Sequence, residues 1–485
     1  MLENTNIPRF VIGAFRGGAG KTFVTVGLTA ALRRRGLSPA VFKKGPDYID
    51  SGWLGLSSEG DCYNLDPYLF DEQVILRSFV TRSVDRDIAI IEGNRGIFDG
   101  VDSAGTYSTA ELAKLLKAPV ILLIDVTKMT RTAAALVVGC QTLDPNLNLN
   151  GVILNRVGGD RHERVLRQAI EDASSIPVIG SVRKLNLKSF PQRHLGLLPW
   201  HEHPQAVNFV NEAARVAETF IDLDRIIKIA QEYRQTIYAP SPQQNNQVSP
   251  GDEQIRPRIG VLRDAAFQFY YPENLETLVQ LGAEVINISA LTCDRLPELD
   301  ALYIGGGFPE THAESLAQNS IFRNSVAKAA QNGLPIYAEC GGLMYLSSHL
   351  IIDKKQFPMT GVFPIDAVLN KRPQGHGYIQ ALVDRPNPFF PVGIELVGHE
   401  FHYSYISYPN GTEVPTAFQI LRGHGIDGQR DGIFSDNVLA TYLHVHALGT
   451  PIWAESLIRK ARGYLLSQQK LSQSNTINRN RAEAI

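Results

Sequence analysis

The stretch FVIGAFRGGAGKT, residues 10–22, determines the fold of the first half of the chain. Its apolar start predicts a buried strand, its glycines predict a tight loop, and a helical stretch follows from Phe23 to Arg35. The backbone N–H groups of such a loop can surround phosphate oxygens, and the helix N-terminus adds a positive dipole end. The sequence therefore predicts a nucleotide-phosphate loop whose contacts come from Gly17, Gly18, Gly20, Lys21 and Thr22.

The loop departs in one place from the strict G-x-x-x-x-G-K-T pattern, which has glycine where this chain has Phe15. It matches a variant in which R/K-G-G-x-G-K-T is the working unit. Lys21 is expected to reach the β- and γ-phosphates of ATP, and Thr22 to coordinate Mg²⁺. The alternative is a glycine-rich turn that only connects two elements, but strand, loop and helix occur in the order that a nucleotide site requires.

From Ile7 to about Trp200, short apolar runs alternate with longer helical stretches, which is typical of β-α-β units on a parallel sheet. The runs are continuously apolar, as expected for strands that are covered on both faces. We assign residues 7–238 to a P-loop domain on this basis. Its predicted strands are Phe10–Ala14, Ala40–Lys43, Ile88–Glu92, Val120–Asp125, Val152–Leu154 and Val178–Gly180.

A segment rich in Pro, Ser, Gln and Asn predicts a linker over residues 239–256. Apolar runs resume in residues 257–465 and predict a second domain, so the fold class is α/β with two doubly wound domains. Residues 466–485 are polar and lack aromatic side chains, which predicts a frayed or disordered tail. The predicted strands of the second domain are Arg258–Leu262, Glu284–Asn287, Ala301–Ile304 and Leu334–Ala338.

The composition excludes several classes of protein. With 44% hydrophobic residues, 20% charged residues and a formal net charge of −2, the chain fits an ordinary soluble protein. No basic block and no long apolar stretch is present in the sequence, so neither nucleic acid nor a membrane is expected as a partner. The four cysteines are widely spaced and predict neither a disulfide framework nor a zinc cluster, which favours a cytoplasmic location.

Acidic residues follow several of the predicted strands, at the edge of the sheet where the phosphate loop is also expected. They are candidates for Mg²⁺ coordination and for handling a substrate carboxylate, namely Asp47, Asp50, Glu92, Asp99 and Asp125. A turn or helix cap is the alternative for each, and it is an equally good interpretation of the last two. Asn155, at the end of another strand, could bind a nucleobase edge or simply cap the strand.

A second reactive centre is predicted in LPIYAECGGLMY, residues 334–345, where Cys340 follows a strand and precedes a helix. A side chain on such a sharp turn is exposed above the sheet, and the helix N-terminus is expected to lower the thiol pKa. Cys340 is therefore a candidate nucleophile. It needs a base, and His444 and His446 lie on the same side of a predicted strand, so spacing does not choose between them.

Two further groups complete this second centre. Gly306 and Gly307, in a triple glycine after a strand, are candidates to stabilise an oxyanion through their N–H groups. His399 and His402 are interpreted as pocket or interface residues, because their spacing is not that of a metal site.

The segments RGGAGKT, KKGPDYID, EGNRGIFDG, GGGFPE, AECGGLMYL, GHEFHYS and TYLHVH together resemble the cobyrinic acid a,c-diamide synthase family, from about Phe10 to about Arg462. That family combines a dethiobiotin-synthetase-like nucleotide domain with a class I glutamine amidotransferase-like domain. The resemblance implies that glutamine is hydrolysed through a thioester. It also implies that ATP phosphorylates a substrate carboxylate and that ammonia displaces the acyl phosphate, at acetate groups a and c in turn.

The resemblance also implies roles for individual residues. Cys340 is the nucleophile and His444 activates it. Asp50 lies near the acceptor carboxylate, and the two loops that carry Tyr48 and Arg95 border the acceptor pocket. The implied cofactors are ATP and Mg²⁺, the implied substrates are a tetrapyrrole and L-glutamine, and a homodimer is left open. Phosphate and Mg²⁺ contacts fall on Gly18, Gly20, Lys21, Thr22, Asp47 and Glu92.

This chain departs from the family pattern at three places. His446 stands where a full Cys-His-Glu triad has glutamate, so we expect a Cys-His dyad. Ser51 replaces a usual proline, and Asn94-Arg95 replace a common Val-Met pair. Arg95 could pair with a carboxylate of a differently decorated ring.

Two rival functions follow from the same motifs. Within the same chemistry, the ring could be sirohydrochlorin or sirohaem. In another class, RGGAGKT also suits a partitioning-type ATPase switch, but that function leaves Cys340 and His444 unexplained.

Overall fold

The computed structural model describes residues 2–184, 192–193, 196–240, 256–411 and 413–482. The chain folds as two units, Met1–Gln243 and Gln244–Ile485, whose boundary falls within the predicted linker 239–256. Most of that linker, residues 241–255, lies outside the described residues. No helix within the described ranges is both long and apolar enough to cross a lipid bilayer.

The first unit alternates strands and helices along the chain, as predicted. Its strands are β1 (Leu2–Thr5), β2 (Arg9–Ala14), β3 (Pro39–Lys44), β4 (Cys62–Leu65), β5 (Ile88–Glu92), β6 (Val120–Asp125), β7 (Leu149–Val157), β8 (Val178–Arg183), β9 (Gln192–Arg193), β10 (Gly196–Leu197) and β11 (Ile237–Pro240). Its helices are α1 (Lys21–Arg34), α2 (Ile49–Ser58), α3 (Glu72–Arg82), α4 (Thr109–Leu115), α5 (Thr132–Leu143), α6 (Asp160–Ser174), α7 (Ala206–Phe220) and α8 (Leu223–Glu232).

A parallel sheet organises the first unit, with strand order β4-β3-β5-β2-β6-β7-β8. Strand β2 therefore lies between β5 and β6, and β3 lies beside β5. The segments that follow β2 and β3, together with the end of β5, meet at one edge because parallel strands share the same carboxyl edge. This topology brings the phosphate loop next to both acidic segments that the sequence singles out.

The sheet is covered on both faces, which confirms the prediction drawn from the continuously apolar strands. Every residue of β6 is buried, whichever face its side chain points to. On one face, alternate residues of the central strands pack with α1, α2, α7 and α8 in a single core. The Trp53 ring lies 4.4 Å from that of Phe209, and its Nε1–H donates to the carbonyl of Leu198.

The second unit contains a larger and more mixed set of elements. Its strands are β12 (Arg258–Leu262), β13 (Phe267–Phe269), β14 (Glu284–Ile288), β15 (Ala301–Ile304), β16 (Gly306–Gly307), β17 (Ile336–Glu339), β18 (His349–Ile352), β19 (Lys355–Pro358), β20 (Asp366–Leu369), β21 (Gly375–Val383), β22 (Glu395–His402), β23 (Ser404–Ser407), β24 (Thr416–Arg422), β25 (Arg430–Ser435), β26 (Val438–Thr441) and β27 (His444–Val445). Its helices are α9 (Pro272–Gln280), α10 (Ala313–Gln318), α11 (Ser320–Gln331), α12 (Gly341–Leu346) and α13 (Pro451–Ala482).

The main sheet of this unit has the order β14-β12-β15-β17-β26-β25-β24-β21-β22-β27. The first five strands are parallel, and the remainder are antiparallel. The four strands predicted from apolar runs all belong to the parallel part. Strands such as β21 were not predicted, because β21 is buried on roughly alternate residues and lacks the continuous apolar run that identifies a buried parallel strand.

The structure corrects two expectations about the ends of the units. Strand β11 runs to Pro240, inside the predicted linker, because it pairs with β1 in an antiparallel ladder from Leu2↔Pro240 to Thr5↔Ile237. Helix α13 continues through most of the predicted tail to Ala482. No glycine or proline follows Gly463 in the sequence, so nothing in the tail breaks a helix that has already begun.

The close approach of helices α1 and α7 at Gly27 predicts that an alanine there destabilises the chain, whereas an alanine at Gly139 does not. A Cβ on Gly27 would overlap the carbonyl oxygen of Ala213 and lie 2.9 Å from its carbon. Gly139, also inside a helix, has nothing among the described residues within 4 Å of that position. We expect Gly27→Ala to lower the free energy of unfolding by about 1–3 kcal/mol. Gly139→Ala should raise it by about 0.5–1 kcal/mol, because alanine favours the helix.

Urea unfolding of both variants beside the unmodified chain measures the two changes. Equal changes in the free energy of unfolding for Gly27→Ala and Gly139→Ala would show that the contact between α1 and α7 does not restrict position 27 to glycine.

Candidate active sites

The phosphate loop has the backbone that a nucleotide cradle requires. Gly18 and Gly20 have φ angles of 71° and 94°, a region that side chains disfavour. A Cβ on Gly20 would lie 2.5 Å from the side-chain nitrogen of Asn155, so glycine is also required sterically. Lys21 is nearly buried and its Nζ donates to the carbonyl oxygens of Arg95 (2.7 Å) and Arg16 (3.3 Å). Its ammonium is thus held at the mouth of the loop.

A buried lysine that the sequence analysis did not single out lies at the centre of the first site. Lys43 is the penultimate residue of β3, and its side chain is 1% exposed. Its Nζ lies 2.6 Å from Glu92 Oε1 and 2.8 Å from Asp50 Oδ2. Thr22 Oγ1 donates to the same Glu92 oxygen at 3.1 Å. The structure therefore brings together Thr22, Asp50 and Glu92, as predicted from the sheet edge, around a cation that was missed.

Mutual electrostatics perturb every ionisable group of this cluster. Burial opposes the charge of Lys43, but Asp50 and Glu92 outweigh it and hold the pKa of Lys43 well above its ordinary value. Burial, followed by the neighbouring Asp50 carboxylate, raises the pKa of Asp47 to about 7. Burial also raises the pKa of Glu92, although Lys43 opposes that rise. Burial and the nearby Lys43 lower the pKa of Lys21 to about 8. Strongly perturbed groups in one place are typical of functional sites.

The same cluster offers oxygen ligands to a cation. Glu92 Oε2 is buried and has no hydrogen-bond partner within the described part of the chain, while Oε1 contacts Thr22. Asp47 lies close by, and its Oδ1 accepts a hydrogen bond from the backbone N–H of Asp50 at 2.7 Å. No group of three or more His, Cys, Asp or Glu forms a metal cage among the described residues. This donor set fits Mg²⁺, which takes one or two protein oxygens and completes its shell with phosphates and water.

Asp125 and Asn155 contact the phosphate loop, and Asp99 contacts its own loop. Asp125 Oδ2 forms ion pairs with Arg16 (2.8 Å) and Arg156 (2.6 Å), and Asp99 accepts the N–H of Gly96. The Asn155 side chain donates to the carbonyl of Ala19 at 2.8 Å. These contacts show structural roles, and the nucleobase contact of Asn155 stays a prediction.

Of the residues predicted to border an acceptor, Asp50 belongs to the lysine cluster itself. Tyr48 immediately precedes α2, and Asp50 lies in the first turn of that helix. Arg95 is exposed and has a φ angle of 46°, a conformation that non-glycine residues rarely adopt. Its carbonyl is the one that Lys21 contacts, so the strained loop and the phosphate loop are joined.

The second unit places Cys340 on a sharp and strained turn. Cys340 follows the last residue of β17, has φ and ψ angles of 46° and −98°, and precedes α12. Its N–H donates to the carbonyl of Thr441 at 2.7 Å. Two residues on, a Cβ on Gly342 would lie 2.5 Å from the carbonyl oxygen of Ile304, so the turn needs a small residue there. Strain of this kind is characteristic of nucleophiles on strand-to-helix turns.

Contrary to the expectation from the helix N-terminus, burial raises the pKa of the Cys340 thiol, and the Glu310 carboxylate adds to the rise. The hydrogen bond with the Gly341 N–H acts in the opposite direction but does not compensate. Helix α12 has only six residues, so its dipole end is weak. The thiol therefore depends on a base to become a nucleophile.

His444, rather than His446, contacts the glycine loop beside the nucleophile. A Cβ on Gly306 would lie 2.5 Å from His444 Cε1 and 3.3 Å from its Nε2. His446 instead lies 4.4 Å from the ring of Tyr271, with Nε2 3.6 Å from Glu273. The two histidines do not share one strand face as expected, because β27 ends at Val445. The geometry favours His444 as the base.

The glycine loop also lies against the turn that carries Cys340. A Cβ on Gly341 would lie 3.0 Å from the backbone nitrogen of Gly307 and 3.4 Å from the carbonyl carbon of Gly306. The N–H of Gly305 donates to the hydroxyl of Tyr270 at 2.7 Å and is thus already used. Oxyanion stabilisation by Gly306 and Gly307 stays a prediction.

The other two histidines, His399 and His402, are buried, and their role as pocket or interface residues stays a prediction. His399 stacks on His444 with ring centres 4.8 Å apart, and burial, with its histidine neighbours, lowers the pKa of His399 well below its ordinary value. His402 stacks on Tyr442 at 3.6 Å, and its Nδ1 lies 2.8 Å from the carbonyl of Ser404.

A buried carboxylate that the sequence did not reveal holds the turn leading to His444. Asp431 Oδ2 accepts hydrogen bonds from Thr441 Oγ1 at 2.8 Å and from the N–H groups of Tyr442 and Leu443 at 3.1 and 3.2 Å. Burial raises the pKa of Asp431 to about 6. This network fixes the backbone from which His444 projects.

Comparison with known proteins matches each unit to a separate family model. Residues 10–197 match the CobQ/CobB/MinD/ParA nucleotide binding domain, and residues 258–452 match the CobB/CobQ-like glutamine amidotransferase domain. The second match favours the predicted ligase over the ATPase switch.

Full-length relatives are also found. A protein of Magnetococcus marinus, named cobyrinate a,c-diamide synthase, is 43% identical over 93% of this chain and 97% of its own length. Proteins of the same name from Archaeoglobus fulgidus and Dehalococcoides mccartyi are 39% and 40% identical, over 94% and 95% of this chain and 98% and 99% of their own lengths.

The raised pKa of Asp47 predicts a pH-dependent stability. The carboxyl pKa is about 4 in the unfolded chain and about 7 for Asp47 in the folded chain. Between these two pH values, Asp47 keeps its proton in the folded chain and has lost it in the unfolded chain. The contribution of Asp47 to stability is therefore full at low pH and is lost as the pH rises to 7. Asp47→Asn removes this loss because the amide does not ionise. The free energy of unfolding of the variant minus that of the unmodified chain should therefore be about 2 kcal/mol larger at pH 8 than at pH 5.

Urea unfolding of Asp47→Asn and of the unmodified chain at the two pH values measures this difference. A pH-independent difference for Asp47→Asn would contradict the perturbed carboxyl.

Proposed function

The chain belongs to the cobyrinate a,c-diamide synthase family, and we propose that it converts the a and c acetate carboxylates of cobyrinic acid into amides, using ATP and glutamine. It is a glutamine-dependent amide-forming ligase, as the resemblance in its sequence predicted. The observation that carries the substrate assignment is the identity of about 40% to relatives of that name over nearly the whole chain. The geometry of the two sites supplies the steps.

In the second unit, glutamine hydrolysis begins when the Cys340 thiol gives its proton to His444. Sγ attacks the side-chain carbonyl carbon of glutamine, and the negative oxygen is stabilised by N–H groups of Gly306 and Gly307. The amide nitrogen leaves as ammonia, taking the proton from His444. Water then attacks the thioester with His444 as base, which releases glutamate and restores the thiol. The raised thiol pKa supports a mechanism in which proton transfer and attack are linked.

In the first unit, the phosphates of ATP lie in the glycine loop with Lys21 beside the β- and γ-phosphates. A substrate carboxylate oxygen attacks the γ-phosphorus, ADP leaves, and an acyl phosphate forms. Ammonia then attacks the acyl carbon, loses a proton, and expels phosphate. Lys43, whose ammonium lies between Asp50 and Glu92, supports the phosphoryl transfer. A cation there offsets the repulsion between the two anions that must meet, the γ-phosphate and the substrate carboxylate.

Mg²⁺ fits the oxygens of this site, and Thr22, Asp47 and Glu92 are the residues that would hold it. The buried Glu92 oxygen without a hydrogen-bond partner in the described chain supports this assignment. When bound, Mg²⁺ would neutralise phosphate charge as the γ-phosphoryl group is transferred. Binding a cation here would also relieve the like-charge repulsion that raises the pKa of Asp47.

The acceptor is proposed to lie near Tyr48, Asp50 and Arg95. Exposure of Arg95 beside the phosphate loop supports a role in pairing with a ring carboxylate. The homodimer and the cytoplasmic location remain predictions of the sequence.

Removing the nucleophile separates the two half-reactions. In Cys340→Ala we expect the glutamine-dependent activity to fall by at least about 10³-fold, because the thioester cannot form. Synthesis from ammonium salts should be retained, since the first unit is unchanged. The matched control is Cys293→Ala, a cysteine outside the strained turn, which should keep both activities. Full glutamine-dependent activity in Cys340→Ala would refute the nucleophile assignment.

A parallel incubation with three rings tests the substrate. Purified protein with ATP, Mg²⁺ and glutamine is given cobyrinic acid, sirohydrochlorin or sirohaem, and the ring masses are measured. Each carboxylate-to-amide conversion lowers the mass by about one unit. We expect two conversions of cobyrinic acid. Double conversion of either other ring, with cobyrinic acid unchanged, would reassign the substrate, and ATP turnover without any conversion would favour the ATPase switch.

A further inference from the structure

We propose that Glu339 is the positioning residue of His444, so that the second unit has a complete Cys-His-Glu arrangement assembled from a different place in the chain. The usual glutamate position, two residues after the histidine, is occupied by His446. This inference rests on the proposed glutamine hydrolysis and concerns the residue that orients its base.

Glu339 lies directly before the nucleophile in the sequence and beside the base in space. It is the last residue of β17, its side chain has no exposed surface, and its Oε2 lies 3.4 Å from His444 Nδ1. The approach is longer than a well-formed hydrogen bond. Catalytic hydrogen bonds are often long in unliganded sites and tighten when substrate binds.

The carboxylate is fixed from two other directions. Tyr303 donates its hydroxyl hydrogen to Oε2 at 3.1 Å, and the N–H of Val445 donates to Oε1 at 3.2 Å. Val445 follows His444, so one carboxylate contacts both the ring of the base and the backbone next to it. A buried carboxylate held in this way can orient an imidazole with little freedom.

The orientation of the ring has a chemical consequence. Nδ1 of His444 points to Glu339, while the Cε1–Nε2 edge lies over Gly306, next to the turn that carries Cys340. A carboxylate at Nδ1 favours the tautomer with its proton there, so that the unprotonated Nε2 is the nitrogen that accepts the thiol proton. The same carboxylate stabilises the imidazolium that forms while the thioester is made.

Other groups around His444 do not supply this charge. His399 of β22 stacks on the ring, but its lowered pKa keeps it neutral at physiological pH. Glu273 of α9 lies 3.6 Å from His446, and Glu400 of β22 lies 3.6 Å from His402, so each of these buried carboxylates faces a different histidine. Cys340 is neutral until the proton is transferred, because burial raises its pKa.

Glu339→Gln tests the proposal, since it keeps the size of the side chain and removes its charge. We expect kcat for glutamine hydrolysis to fall about 100-fold, with KM for glutamine within about twofold of the unmodified value. The acidic limb of the pH profile of kcat/KM should move to lower pH, because a charge that favours the protonated imidazole is gone. Synthesis from ammonium salts, which the first unit performs, should remain within about twofold, and an unchanged KM for glutamine shows that the second unit is folded.

Glu273→Gln is the matched control, because it removes another buried carboxylate that faces a histidine, 3.6 Å from His446. We expect its kcat and pH profile to be those of the unmodified chain. A fall in glutamine hydrolysis in Glu273→Gln but not in Glu339→Gln would overturn the proposal and assign the base to His446.

Glu339→Asp provides a second test if the glutamine variant does not fold. It keeps the charge but withdraws it by one methylene, so its kcat should lie between those of the unmodified chain and Glu339→Gln, with the acidic limb unmoved. Equal losses in both variants with no change in the pH profile would mean that Glu339 is only a structural support. Unchanged hydrolysis in Glu339→Gln, together with its loss in Cys340→Ala, would defeat this inference alone. Activity retained in Cys340→Ala would instead defeat the proposed function.

Discussion

The ammonium of Lys43, buried between the carboxylates of Asp50 and Glu92, is the interaction on which the nucleotide-binding unit depends. A charge with 1% of its surface exposed is tolerated only when opposite charges are in contact with it. Removing one partner from such a pair typically costs about 3–5 kcal/mol. Because Thr22 also contacts Glu92, the ion pair joins the phosphate loop to two strands. The residues that hold the sheet edge together are thus the ones for which we propose contacts with phosphate and carboxylate.

The second unit meets a similar constraint with a neutral nucleophile. Its thiol is buried, so the charged thiolate is disfavoured until a base and a substrate are present. Close packing offsets the low reactivity of the neutral thiol, because it fixes the positions of His444 and of the turn that carries Cys340. The glycines at 306 and 342 allow His444 and the backbone of Ile304 to approach where any side chain would collide. Glu339 and Asp431 then hold the base and the turn before it. In both units burial and the neighbouring groups set the charge state of the key side chain. Lys43 is kept charged in the first unit, and the Cys340 thiol is kept neutral in the second.

The sequence predicted what depends on local pattern and on strand order. Continuous apolar runs identified the parallel strands, and the shared carboxyl edge brought Thr22, Asp50 and Glu92 together as expected. Lys43 was missed because a lysine inside a strand is usually a surface residue, and only its neighbours across the sheet reveal a buried ion pair. Glu339 was missed for a related reason, since its contact with His444 joins strands that are far apart in sequence.

In the proposed mechanism, ATP activates the same carboxylate that ammonia then converts. The most direct test uses cobyrinic acid with ¹⁸O in both oxygens of the a and c carboxylates, incubated with ATP, Mg²⁺ and glutamine in unlabelled water. Mass spectrometry of the inorganic phosphate then follows the label. The account predicts one ¹⁸O in phosphate for each amide formed, because the oxygen that attacks phosphorus leaves with it. Amide formation with unlabelled phosphate, or phosphate release without amide, would contradict it.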